Sequence, residues 1–193
     1  IPNQNRTNVK KSGFTTIKVI LAAAILISIY ACGEGPKDRR TQIPVQQEGA
    51  MAGIGVYLNA VVPRDDVFEV YYFQQGQDGF SPGDYVSKGI EGKPTPQDIF
   101  FELPEGVYPE RLRLDFGKKE DQGPMKLISI GLFYNQKEYV FTKSEIIKGF
   151  KPSKFMDLNT DDLTLTTRAV DGRYDPYLYS MRVSNIVNYL LED

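Results

Sequence analysis

The side chains able to do chemistry in this chain are its carboxylates, its arginines and tyrosines, and a single thiol. There is no histidine, which removes a Ser-His-Asp triad, a Cys-His dyad and any imidazole metal site together. The one cysteine, Cys32, closes an apolar run near the start of the chain, so thiol catalysis and Cys-ligated zinc are absent from the remainder. No glycine-rich loop opens a helix after a strand, as phosphate binding requires. Paired carboxylates are what is left for general acid–base work. The pairs are Asp65/Asp66, Glu120/Asp121 and Asp161/Asp162, each in a turn beside Gly, Pro, Asn or Thr, where acids are ordinarily solvated. No enzyme and no cofactor is expected.

Two further constellations bear on ligands. Residues 157–162 (DLNTDD) begin like a calcium loop, with oxygen donors at its first, third and fifth positions. An EF-hand then needs Gly at its sixth position and Glu at its twelfth, where this chain has Asp162 and Arg168. An Asx-turn is the expected structure, and no metal site is assigned. The second constellation is the alternating stretch 110–116, ERLRLDF. As a strand it puts Leu112, Leu114 and Phe116 on one face and Arg111, Arg113 and Asp115 on the other. Tyr71 lies with Glu69 on the less apolar face of its own strand, from which it can reach that polar stripe. Tyr71, Arg111, Arg113 and Asp115 are therefore the candidate ligand-binding residues; the alternative is a solvated face carrying cross-strand ion pairs.

The elements that must hold these residues read as strands. Residues 54–62 alternate with period 2, and 67–73 are rich in aromatic and β-branched types. Residues 74–84 are loop, 85–90 a short edge strand, the Pro94/Pro96 stretch a second loop, and 97–103 a strand. Residues 110–116 follow, then 125–134 with Ile128, Ile130 and Leu132 inward, 138–141, and 163–170. Thr142-Lys143-Ser144-Glu145 matches a capping box flanked by Phe141 and Ile146, opening a short helix that Gly149 stops. At the C-terminal end Val183, Ile186, Val187, Leu190 and Leu191 have helical spacing. The expected fold is all-β: an antiparallel β-sandwich or jelly roll over 50–179, with a C-terminal amphipathic helix in 180–193.

The first 49 residues are of another character. Residues 1–40 carry seven Lys/Arg and two Asp/Glu, whereas the rest of the chain is net acidic. The mainly apolar run of thirteen residues, 19–31, makes about 20 Å of helix, short of a hydrocarbon core of about 30 Å. With lysines before it and small residues at its end, the run has the form of an export signal. An uncleaved anchor over 17–32, or a buried core cysteine, are the alternatives. Residues 33–49 hold prolines and glycines without apolar periodicity and read as a flexible tether, with a reach of about 20–25 Å. No Lys/Arg cluster forms a nucleic-acid footprint.

Ile29-Tyr30-Ala31-Cys32 resembles the lipobox of bacterial lipoproteins. The resemblance implies that Cys32 receives a diacylglycerol and that the chain is cut just before it. The stretches 66–86 (DVFEVYYFQQGQDGFSPGDYV), 98–117 (DIFFELPEGVYPERLRLDFG) and 127–134 (LISIGLFY) resemble a galactose-binding-like β-sandwich module of bacterial, Bacteroidetes-like envelope proteins. That module occurs outside the cytoplasm beside cell-surface glycan enzymes and transporters. Together these likenesses imply a membrane-anchored lipoprotein facing the periplasm or the cell surface. Its expected function is non-enzymatic interaction or assembly with a protein partner in the envelope, to which the amphipathic tail can contribute. Binding of a glycan through the Tyr71/Arg113 face is the alternative. Intact mass of the membrane-extracted protein is expected to show a chain beginning at Cys32 and carrying acyl groups; an unmodified thiol on an uncut chain would exclude the lipobox reading.

Overall fold

The computed structural model describes Ile43, Pro44 and residues 52–192. The described residues all belong to one compact unit, Arg40–Asp193. The signal or anchor helix, Cys32 and nearly all of the tether lie outside the described residues. Among the described residues no helix is long and apolar enough to cross a membrane.

Among the described residues, eleven strands and two helices follow one another as β1 (Gly55–Val62), β2 (Asp66–Gln74), β3 (Tyr85–Ile90), β4 (Lys93–Glu102), β5 (Pro109–Phe116), β6 (Met125–Tyr134), β7 (Lys137–Val140), α1 (Lys143–Gly149), β8 (Phe150–Pro152), β9 (Met156–Leu158), β10 (Thr164–Thr167), β11 (Tyr177–Ser180) and α2 (Ser184–Leu191). One sheet runs β4-β1-β6-β10-β9, with β7 also on β6; the other runs β3-β2-β5-β11-β8. Every pairing is antiparallel. The two sheets pack face to face as a β-sandwich, and apolar side chains from both fill the space between them.

Period-2 alternation explains most of this. Val56, Leu58, Ala60 and Val62 of β1 point inward, as do Phe68, Val70 and Tyr72 of β2 and Leu112, Leu114 and Phe116 of β5. Thr142 caps α1 through the expected box, accepting from the Glu145 N–H, while the Glu145 carboxylate accepts from the Thr142 N–H. Phe141 and Ile146, on either side of that box, are both buried. The helix ends at Gly149 and passes directly into β8, with Phe150 extended (φ −116°, ψ 120°), not through a left-handed glycine.

Three expectations are corrected. Ile128 is exposed, while Met125, Leu127, Ile130 and Leu132 are buried. The cause is a β-bulge: Asn59 pairs with Ser129 but Ala60 pairs with Leu127, so Ile128 is the extra residue and the inward phase of β6 inverts there. The Pro94/Pro96 stretch is strand, not loop. β4 lies at the edge of its sheet, where a proline without an N–H leaves no ladder bond unmade. The C-terminal helix begins at Ser184, not at 180, and residues 177–180 form β11 between β5 and β8.

The outer face of the six-stranded sheet carries a second, smaller apolar cluster of Tyr57, Phe133 and Val140 with Phe100 at its border, covered by Ile43. The Ile43 N–H donates to Glu138 Oε2 at 2.7 Å. Gly131 makes room for this, since a Cβ there would stand 2.8 Å from Ile43 Cδ1. Ile43 therefore sits on the back of the six-stranded sheet. The bulge has a direct test in urea midpoints: Ile130→Ala is expected to cost about 2–5 kcal/mol, and Ile128→Thr, in solvent, less than about 0.5 kcal/mol.

Candidate functional site

The outer face of the five-stranded sheet brings the predicted stripe together. Register places Tyr71 opposite Arg113, and Glu69 and Tyr177 on either side of Asp115. Tyr85 of β3 pairs with Tyr71 and stacks on it, with ring centroids 5.0 Å apart. On the other side of Tyr71 lies the Arg113 guanidinium, 5.2 Å from its ring centre and 3.9 Å from that of Tyr177. Tyr85, Tyr71, Arg113 and Tyr177 thus form one stack crossing four adjacent strands. Both faces of Tyr71 are occupied, so it supports the site rather than offering a bare aromatic surface. Arg111 stands one step along the same face, its guanidinium 5.5 Å from the Tyr179 ring, and does not line the cleft described next.

Arg113 is clamped by carboxylates. Its Nε and Nη2 donate to the two oxygens of Asp115, each at 2.7 Å, in the bidentate fork geometry of a strong ion pair. Nη2 also donates to Asp175. Beside this clamp opens a cleft of about 330 Å³, lined by Glu69, Tyr71, Arg113, Asp115, Lys118 and Asp175 among others. The Glu69 side chain is only 8% exposed and takes a hydrogen bond from Lys118 Nζ at 2.6 Å, whereas Lys118 is itself 62% exposed. The Tyr71 hydroxyl reaches Glu69 Oε2 at a longer 3.3 Å.

Burial pushes the Asp115 carboxyl up, and the nearby Asp175 and Glu69 charges add to this against the pull of Arg113. Burial alone would lower Arg113, but Asp115 and Asp175 outweigh it and hold the guanidinium above its ordinary value. The Tyr71 phenol is pushed up to about 12, first by burial and then by Glu69 and Asp115. Tyr57, on the opposite sheet, is also raised to about 12 by burial and by its hydrogen bond to Asp98.

Two connections position the cleft's outlying members. Asp66, read from sequence as one of a solvated pair, is buried. Its Oδ1 accepts from the N–H groups of Val67 and Lys118, both at 2.8 Å, and its Oδ2 accepts from Gln122 Nε2 at 3.0 Å. Gly117, at φ +98°, lets the chain turn tightly against that carboxylate. The loop so fixed delivers Lys118 to Glu69. Asp175 arrives after a turn closed by the Val170–Arg173 bridge, with Asp171 and Gly172 both at positive φ. The Pro176 carbonyl then accepts from the Phe116 N–H at 2.9 Å, binding this connection to the end of β5.

The other sequence candidates are engaged elsewhere. Asp65 accepts from the Gly92 N–H at 2.7 Å, and Asp121 pairs with Arg64. Asp162 pairs with Lys126 at 2.7 Å and, with two further bonds from Thr164, is held down at about 2. In the loop read as calcium-like, Asp157 pairs with Arg168, and Asn159 Oδ1 accepts from the Asp161 N–H at 2.8 Å as in an Asx-turn.

Sequence reasoning did not assign Glu69, Lys118, Tyr85, Asp175 or Tyr177 to the site. Glu69 was placed on the correct face but not chosen. The rest sit on neighbouring strands or in turns, and only the strand pairing brings them together. No family model, no curated protein and no solved structure matches this chain.

The two raised phenols give a pH dependence. Each favours the folded state fully below pH 10.0, the ordinary tyrosine value, and loses that contribution as pH rises through about 12. Urea midpoints are expected to fall across that window, and to fall less steeply in Tyr57→Phe and Tyr71→Phe than in the parent chain.

Proposed function

We propose that this chain is a non-enzymatic binding module of the bacterial cell envelope, tethered through a lipid on Cys32, that binds a carbohydrate in the cleft beside Arg113. The observation that carries the reading is the cleft's chemistry. Its polar groups are fixed in place by stacking and ion pairing before any ligand arrives, and they converge on one space of about 330 Å³. That volume is at the lower end of small-molecule sites, which run from about 300 to 1,000 Å³. Preformed hydrogen-bonding groups suit a polyol, because the carboxylates have acceptor sites left beyond their internal ion pairs and a ligand lacking hydroxyls would desolvate those sites without filling them. Repeated passage of the chain between the two sheets supports assigning the sandwich to the jelly-roll, galactose-binding-like type.

The amphipathic tail gives less support to a protein partner than its sequence does. Val183, Val187 and Leu190 of the α2 segment are each no more than 2% exposed, packed into the body's own core. Removing residues 180–193 would therefore open that core, and loss of a partner on truncation would not identify a docking helix.

A glycan array separates the readings. The full chain is expected to bind at least one glycan class. Tyr71→Ala removes a wall of the stack, and Arg113→Lys keeps the charge but loses the fork and the ring contact. Each is expected to weaken binding by about tenfold or more while circular dichroism stays native. No signal from the folded parent chain, or unchanged signal from both variants, would overturn the proposal.

A further inference from the structure

The cleft's charges are unevenly buried, and that asymmetry narrows the class of ligand. This step rests on reading the cleft as a ligand site. Three carboxylates face it, with side-chain exposures of 8% for Glu69, 13% for Asp115 and 36% for Asp175. Arg113, at 23%, answers two of them through its fork and its bond to Asp175. The Glu69 charge is answered by Lys118, whose side chain is 62% exposed and whose ammonium lies 2.6 Å from Glu69 Oε1. The only other donor to Glu69 among the described residues is the Tyr71 hydroxyl, at 3.3 Å.

Without Lys118, then, a buried carboxylate would sit at the cleft with one long hydrogen bond. Such a group is costly to leave unpaired, and a cation or a set of hydrogen-bond donors satisfies it. Lys118 makes no other ion pair among the described residues and its side chain is mostly in water, so it can give way when another cation takes its place on Glu69. The site already shows how it seats a primary ammonium, 2.6 Å from a buried oxygen. A second observation concerns space. Glu69 and Lys118 both line the cleft of about 330 Å³, so a ligand seated there lies beside their ion pair.

We infer that the cleft selects a glycan residue bearing a free amino group, whose ammonium takes the place of Lys118 on Glu69. Lys118 is then an internal stand-in for the ligand, and the ligand's hydroxyls fall to Asp115, Asp175 and Arg113. Acidic sugars are disfavoured, since they would bring a negative charge to a floor that holds three carboxylates and one buried guanidinium. The Tyr71 ring is already flanked by Tyr85 and Arg113, so it adds little apolar contact.

The test uses the full chain and matched sugars: glucosamine oligomers, N-acetylglucosamine oligomers of equal length, and uronic-acid oligomers, titrated calorimetrically at low and moderate salt. Glucosamine oligomers are expected to bind about tenfold or more tightly than their N-acetylated partners, with the advantage shrinking as salt rises. Lys118→Ala removes the competitor, so it is expected to tighten the amino sugar by about fivefold and leave the acetylated one unchanged. An ordinary ligand-contact or structural role for Lys118 predicts the opposite sign, and weaker binding in that variant would overturn the inference. Equal or tighter binding of the neutral or acidic sugars would overturn it too, while leaving the carbohydrate reading intact. Binding of cadaverine with no sugar bound would overturn the carbohydrate reading and keep the ammonium seat. Binding of neither would remove both.

Discussion

A single guanidinium, that of Arg113, organises one face of this molecule. It lies in the middle of the five-stranded sheet, between the rings of Tyr71 and Tyr177, and is held edge-on by the oxygens of Asp115 and Asp175. A lysine could carry the charge but neither the fork nor the flat surface. The arrangement uses most of the arginine's donors internally, which is why the tyrosines on either side are fixed in place. Deleting the guanidinium would strand two partly buried carboxylates and free two rings at once, so its role in shape and its role in charge are not separable by simple truncation.

A second polar centre sets the position of what the stack does not reach. Asp66 belongs by phase to the inward side of β2, among apolar residues, and is tolerated there because backbone N–H groups and Gln122 satisfy it. Gln122 is fully buried, and also exchanges bonds with the backbone of Arg64. The connection between β5 and β6 is thereby pinned to the start of β2. One buried carboxylate thus holds the loop that carries the cation serving another.

Much of the fold was legible because it depends on local alternation. The stretch 110–116 could be split into its two faces residue by residue, and the Thr142–Glu145 box could be read as a helix start. The failures came where a distant partner decides. Ile128 looks like its neighbours in sequence, and only the pairing of β1 with β6 shows that it is the extra residue of a bulge. Pro94 and Pro96 are poor strand residues except at an edge, and being an edge is a property of the whole sheet. The three-residue strands β8 and β9 have too few positions to show a period. For the candidate site, Arg113, Asp115 and Tyr71 could be found because each alternates within a strong strand. Lys118 and Asp175 could not, because turns place them and the turns are fixed by Asp66 and by strand-end bonds.

Ile43 lies on the far side of the molecule from the Arg113 cleft, beneath the opposite sheet, with its backbone bonded to Glu138 and its side chain over Gly131. The two outer faces of the sandwich are thereby unlike: one is closed by an apolar side chain laid across it, and the other carries charged groups facing a cleft.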